Sequence, residues 1–377
     1  MKDIKVNALY IHVPFCIKKC VYCDFNSVVS NTKTIDQYLD AINKELNSLN
    51  GRYVFNTIYI GGGTPSVLTE AQLGKLLNNV VSCVQASEIK EFTIEANPGT
   101  LTSNKVRLLK EYLVTRVSLG IQSFNDKQLN FLGRIHSGND AINAFNLLRN
   151  VGYDNINIDL IFGCPEQSFG DWKSDLRTVI ELNPKHLSIY ALTYEEGTPL
   201  RRNWVNGNVK KLDECVELEM YKMAIGYLTD NGYNHYEISN FAKDGYECLH
   251  NYIYWRNEGY AGVGAGAFSF VDGLRTSNIR DVYQYIEGIN EGRNIKTFTE
   301  CLQHEHFASE TVIMNLRLRQ GISDKNFHDR FGYKIYDRFE RLINRLVEDG
   351  LISYDNETLK LTDKGLYLAD TVMAEFL

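Results

Sequence analysis

Proline is scarce in this sequence, with six in 377 residues. No low-complexity run accompanies them, so the chain lacks the composition that makes long disordered linkers. Basic excess is missing too. Lys and Arg number 40 against 47 Asp and Glu, a formal net charge of −7. Nucleic-acid binders usually carry a basic face, and no nucleic-acid partner is expected. No apolar run approaches the roughly 20 residues of a bilayer span. That predicts no transmembrane segment and leaves peripheral membrane contact open. The opening "MKDIKVNALYIHV" has neither a long apolar core nor a small-residue cleavage site, so no signal peptide is expected. The expected compartment is the reducing cytoplasm, where the eight cysteines should be thiols or metal ligands, not disulfides.

What is present is the balance of an ordinary globular protein, 44% hydrophobic and 23% charged. Over the first 200 residues, β-branched and aromatic runs such as "ALYIHV", "NTIYIGGG", "EFTIEANP", "RVSLGIQS", "NINIDLIFG" and "KHLSIYALT" alternate with amphipathic patterns such as "IDQYLDAINKELNSLN" and "TEAQLGKLLNNVVSCV". About six such units predict parallel βαβ structure: an α/β fold, a partial (βα)6 barrel open on one side. Nearly every strand run ends in polar or glycine residues, and in parallel barrels the loops at the strands' carboxyl ends build the site. After about residue 210 the repeat fades. Near residue 297 the composition shifts to helices followed by "LISYDNETLKLT", a pattern that predicts a small helical domain with a β-hairpin wing, winged-helix-like. The expected domains are residues 1–295 and 296–377. The wing mixes acids with its bases, which argues against DNA.

Three cysteines, Cys16, Cys20 and Cys23, fall within eight residues of "CIKKCVYC". A structural zinc site closes with four ligands, which here needs a fourth from elsewhere, such as His12. Four-iron clusters are held by thiolates, and three thiolates leave one iron open. The "GGGTP" at the next strand end lets backbone approach a ligand closely, although on its own it also reads as a tight turn into a helix. Cys83, Cys164, Cys215, Cys248 and Cys301 read as small apolar fillers. Of these, Cys164 and Cys248 are placed to approach a ligand.

The cysteine loop directly after the first strand, with "GGGTP" one strand later, resembles the signature of the radical S-adenosylmethionine (SAM) superfamily. The resemblance implies a full or partial βα barrel with a 4Fe-4S cluster on Cys16, Cys20 and Cys23. SAM chelates the open iron, and an electron from the reduced cluster cleaves it to a 5′-deoxyadenosyl radical. "YIHVPFC", "GGGTPS", "IEANP", "RVSLGIQSF", "LGRIHS", "DLIFGCPEQ" and the terminal "LADTVMAEFL" are similar, nearly end to end, to the branch holding oxygen-independent coproporphyrinogen III oxidase (HemN) and the HemW group. By that likeness Tyr10, Tyr22, Gly62, Gly63, Thr64, Glu95, Gln122, Arg134 and Asp159 contact SAM. Glu95 and Asp159 suit its cationic or hydroxyl groups and Arg134 its carboxylate.

Two features separate the members of that branch. The oxidase has a fourth cysteine where this chain has Phe25, as the HemW group does. "HNYIYW", spelled by His250, Asn251, Tyr254 and Trp255 with two intervening residues, matches a HemW motif whose histidine is implicated in holding haem. The resemblance therefore implies a haem chaperone. Its cargo is haem, its partners are haem-accepting proteins and an electron donor for the cluster, and it has no assigned catalytic residue. The alternative is a radical enzyme acting on a porphyrinogen, as coproporphyrinogen III oxidase does.

Overall fold

The structure is a computed structural model and describes residues 5–377. Strand β1 (Val6–Val13) is followed by α1 (Thr32–Leu49), β2 (Thr57–Gly62), α2 (Glu70–Ser82), β3 (Glu91–Ala96), α3 (Ser103–Glu111), β4 (Arg116–Gln122), α4 (Asp126–Leu132), α5 (Gly138–Asn150), β5 (Ile156–Phe162), α6 (Phe169–Leu182) and β6 (His186–Ala191). The six strands pair in parallel in chain order. Their side chains are buried almost throughout, as in β4, because helices cover one face and the other lines the interior. Helices start where short polar side chains satisfy free backbone N–H groups. Thr69 with Gln72 caps α2, Ser137 with Asp140 caps α5, and Ser168 with Asp171 caps α6.

The sheet does not end with the six expected strands. Past α7 (Pro199–Val205) and α8 (Glu214–Asp230), β7 (Asn234–Glu237) and β8 (Asn240–Ala242) add an antiparallel edge beside β6. After α9 (Leu249–Trp255), β9 (Gly259–Val263) pairs in parallel with the far side of β1. Next come β10 (Phe268–Val271), β11 (Leu274–Asn278), α10 (Val282–Asn290) and β12 (Lys296–Cys301), whose strands extend the sheet antiparallel. The result is an open sheet of 12 strands with β12 and β7 at its edges. The boundary expected at residue 296 thus falls just ahead of β12, a strand of the large sheet.

A second hydrophobic core gathers the C-terminal elements. These are α11 (His304–Leu316), β13 (Ile322–Ser323), α12 (Asp324–Phe331), α13 (Ile335–Glu348), β14 (Ile352–Asp355), β15 (Thr358–Leu361), α14 (Asp363–Leu366) and α15 (Ala369–Ala374). The strands form a three-stranded antiparallel sheet of order β13-β15-β14, the wing of a winged-helix-like unit. This unit grips the end of α9. The Arg330 guanidinium donates to the carbonyl of Arg256 at 2.8 Å and to that of Asn257, oxygens that a helix terminus leaves unpaired. Among the described residues no helix is long and apolar enough to cross a membrane.

Candidate functional site

Parallel register brings the chemistry to one end of the sheet. Val13 pairs with Gly62, so the cysteine loop leaving β1 lies directly beside the glycines leaving β2. Gly63 N–H donates to Val13 O at 2.9 Å and Thr64 N–H to Phe15 O at 2.8 Å. A Cβ on Gly63 would lie 2.7 Å from Phe15 O, and Gly62 has φ +111° with its Cα face against the His12 ring. Only glycine fits either position. Gly63→Ala is expected to cost about 1–3 kcal/mol of stability and to lower iron loading by displacing the cysteine loop. A denaturant midpoint and an iron assay on one sample check both effects.

The three thiols, half-buried and unpaired as disulfides, open on a cavity of about 480 Å³. Gly62, Gly63, Thr64, Glu95, Gln122, Arg134, Asp159 and Tyr22 all line it, so eight of the nine expected SAM contacts meet the cysteines at one place. Tyr10 does not line that cavity. It faces an adjoining one, because its hydroxyl donates to His12 Nδ1 at 3.0 Å. His12 is no zinc ligand either, since its other nitrogen meets the carbonyl of Asn26 at 2.7 Å. Among the described residues no three His, Cys, Asp or Glu side chains converge on a single-ion position.

Around the thiols the polar groups are tied to one another. Cys16 Sγ lies 3.6 Å from Thr64 Oγ1. Arg134 donates to Cys20 Sγ at 3.5 Å, and to Asn97 Oδ1 and Gly120 O at 2.6 Å each. Burial pushes the Cys16 and Cys23 thiols up. Gln122 sits at φ +73° at the end of β4, a left-handed backbone that a non-glycine side chain adopts at a cost and that clusters at ligand sites. Tyr22 packs on the apolar cluster of Leu132, Ile161, Leu192 and Leu200, giving the cavity an aromatic wall.

Two half-buried acids on the cavity wall dominate the electrostatics. Glu95 accepts from Tyr59 OH at 2.8 Å and Gly62 N–H at 3.1 Å. Asp159 accepts from Asn157 Nδ2 at 2.6 Å and Ser118 Oγ at 3.3 Å. Burial raises the Glu95 carboxyl from 4.5 to about 7, helped by the nearby Asp159 charge, and burial raises Asp159 as well. Two carboxyls held up in this way favour a cationic ligand that would restore their ionised forms. Below about pH 7 Glu95 must release a proton to receive a cation. SAM affinity is therefore expected to fall as pH drops through 7, by up to about tenfold per unit, as a calorimetric pH series would show. The same group acts oppositely on the empty fold. The folded state keeps a proton that the unfolded chain releases, so stability declines as pH rises from 4.5 towards 7.

Sequence reasoning missed Asn97, which bridges Arg134 and Thr64, and buried Arg116, whose charge favours ionised Glu95 and Asp159. Cys164 lies in a buried apolar cluster. Cys248 is buried with its thiol 3.4 Å from Glu91 Oε1. Neither lines the two cavities.

The second cavity, about 720 Å³, shares Phe25, Gly62, Glu95 and Asp24 with the first. Helix α9 serves both. Asn251 lines the thiol cavity, while Tyr254 and Trp255 line the second. His250 lines neither. It is buried against the sheet, with Nδ1 2.9 Å from Thr57 Oγ1 and Nε2 2.9 Å from Tyr254 OH. Burial, with Arg116 nearby, lowers its pKa to about 3. Both ring nitrogens are thus occupied, a placement that the expected haem-ligand role did not foresee.

Residues 10–179 match the Radical SAM superfamily, and residues 302–368 match the HemN C-terminal domain. A heme chaperone HemW from Bacillus subtilis (strain 168) is 36% identical over 376 residues, covering 99% of each chain. One from Lactococcus lactis subsp. lactis (strain IL1403) is 35% identical over 373 residues, covering 99% of this chain and 98% of that one. The chain belongs to the HemW family. The solved structure of coproporphyrinogen III oxidase (HemN) from Escherichia coli, described as a radical SAM enzyme, superposes with a TM-score of 0.86. It covers 99% of this chain and 90% of that one at 24% identity, a likeness of fold. The two folds thus correspond along nearly the whole of this chain.

Proposed function

We propose that this HemW-family chain is a cytoplasmic haem chaperone that binds haem and passes it to haem-requiring proteins. The observation that carries this reading is the pair of adjoining cavities, one lined by thiols and charged groups and the other by seven Phe, Tyr and Trp rings among polar and charged side chains. Cys16, Cys20 and Cys23 would hold a 4Fe-4S cluster, which when bound supplies an electron to the SAM sulfonium. Gly62, Gly63 and Thr64 admit the methionyl end of SAM, while Glu95 and Asp159 meet its cationic or hydroxyl groups. Arg134, fixed on Cys20, Asn97 and Gly120, steadies the cysteine loop and keeps a cation beside the SAM carboxylate. Tyr22 offers a face to adenine. Tyr10 stands on the wall towards the cargo.

Phe25 supports the carrier. It is 64% exposed and borders both cavities, placing a non-ligating ring where the oxidase has its fourth cysteine. Eight of the nine residues expected to contact SAM line one cavity all the same, which favours as a second reading a radical enzyme acting on a tetrapyrrole. One sample decides between them. Protein reconstituted anaerobically is titrated with haem and then assayed, with SAM and a reductant, for protoporphyrinogen from coproporphyrinogen III. Stoichiometric haem binding without product is expected. SAM-dependent product would restore the oxidase.

A further inference from the structure

The second cavity contains more chemistry than aromatic cover. Its volume of about 720 Å³ lies within the usual range for cofactor-sized ligands, roughly 300–1,000 Å³. Five side chains on its walls carry an imidazole, phenol or thioether that binds iron: His12, Tyr10, Tyr254, Tyr260 and Met314. Their hydrogen bonds distinguish them.

His12 Nε2 faces the carbonyl oxygen of Asn26 at 2.7 Å, and a carbonyl only accepts. Burial lowers the His12 pKa, and the neutral ring has a single N–H, so that proton sits on Nε2. Nδ1 must then accept from Tyr10 OH at 3.0 Å. His12 has no free nitrogen, and Tyr10 is locked as a phenol donor, since its phenolate would face a lone pair. Met314 offers a soft thioether, a poorer partner for the harder ferric ion.

Tyr254 differs. Its hydroxyl lies 2.9 Å from His250 Nε2, and His250 Nδ1 lies 2.9 Å from the Thr57 hydroxyl. A hydroxyl both donates and accepts, so nothing fixes the His250 tautomer. With Tyr254 as phenol, Nε2 accepts and Nδ1–H donates to Thr57. With Tyr254 as phenolate, Nε2–H donates and Thr57 donates to Nδ1. The chain of three can support either protonation state of Tyr254 with every bond kept.

We infer that the second cavity takes a ferric tetrapyrrole whose iron is ligated by the Tyr254 phenolate, with His250 as the hydrogen-bond partner that positions the phenolate. This assignment rests on the haem-carrier reading above and deepens it. In the ligation step one Fe–O bond forms, the phenol O–H breaks, its proton leaves to solvent and iron stays ferric. Tyrosine is an established axial ligand of haem iron, and a ligand's hydrogen-bond partner orients it and tunes its basicity. For the carboxylates of a tetrapyrrole the same walls offer Arg280, and Trp255, whose buried Nε1 has no hydrogen-bond partner among the described residues.

The test is resonance Raman and visible spectroscopy of the reconstituted full-length protein with one equivalent of ferric haem. The wild type is expected to show tyrosinate-to-iron charge transfer and enhanced tyrosinate ring modes. Tyr254→Phe should lose both, and Tyr10→Phe and Tyr260→Phe should each keep both. His250→Gln should keep the tyrosinate modes, shift the iron–oxygen stretch and weaken ferric haem binding about tenfold. Should Tyr254→Phe fail to fold, Tyr254→His serves instead, exchanging the tyrosinate signature for a histidine-type spectrum. Haem bound with a spectrum that neither Tyr254 variant alters overturns the ligand assignment and leaves the carrier reading standing. A wild type that binds no haem removes the carrier reading itself.

Discussion

Cys20→Ala, reconstituted anaerobically, is expected to emerge without stoichiometric iron or sulfide, where the wild type should hold about four of each per chain. Cys16→Ala and Cys23→Ala should behave alike. The loop offers three thiols to a cluster with four corners, so losing one leaves two thiolates, too few to retain it. At Cys20 the loss is compounded, because the Arg134 guanidinium at 3.5 Å is left facing a space with no sulfur. Cys215 and Cys301 are exposed and line neither cavity, so their Ser variants should keep a full cluster and serve as controls. Metal and sulfide analysis of the wild type and the five variants settles the matter. A full iron load in any of the three loop variants would move the cluster to other thiols, and tight zinc in place of iron would remove it.

Glu95→Gln and Asp159→Asn are each expected to weaken SAM binding roughly ten- to a hundredfold, the loss of one charge-assisted contact worth about 1.5–3 kcal/mol. The amides preserve shape, so the fold should survive, and for Glu95 the sign of the stability change is informative. Burial raises that carboxyl to about 7, so its ionised form is a cost the empty protein carries. A neutral replacement at pH 8 should hold or raise the melting temperature while SAM affinity falls. Opposite movements of stability and binding are hard to obtain from general damage. SAM titrations unchanged in both variants would show that neither acid meets SAM.

Much of this site was legible in the chain because strand ends are marked by residue type. Buried parallel strands read as apolar runs, and the polar or glycine residues that stop each run face the cavity, as "GGGTP" and "EANP" do. The later strands were not legible. β9 and β10 fall in "AGVGAGAFSF", where glycines weaken the strand signal. β7 and β8 are too short to show a period, and their pairing with β6 is decided by tertiary contact. Arg116 was missed because charged residues are almost never fully buried unless paired, and nothing in "RVSLGIQSF" announces the acids that surround it. Asn97 stood in a motif read for its glutamate alone. His250 was read as a ligand from its motif, although its spacing from Tyr254 held the other signal. Residues four apart on a helix share a face, and here they bond to each other, leaving the tyrosine facing the cavity.

Two cavities that share a wall but take different guests are the core of this account, and co-binding tests it most directly. Haem is titrated by calorimetry into reconstituted protein already saturated with SAM, and SAM retention is measured at the end point. One haem per chain is expected, at the affinity found without SAM and with SAM still bound. Stoichiometric displacement of SAM by haem would show a single site and contradict the account.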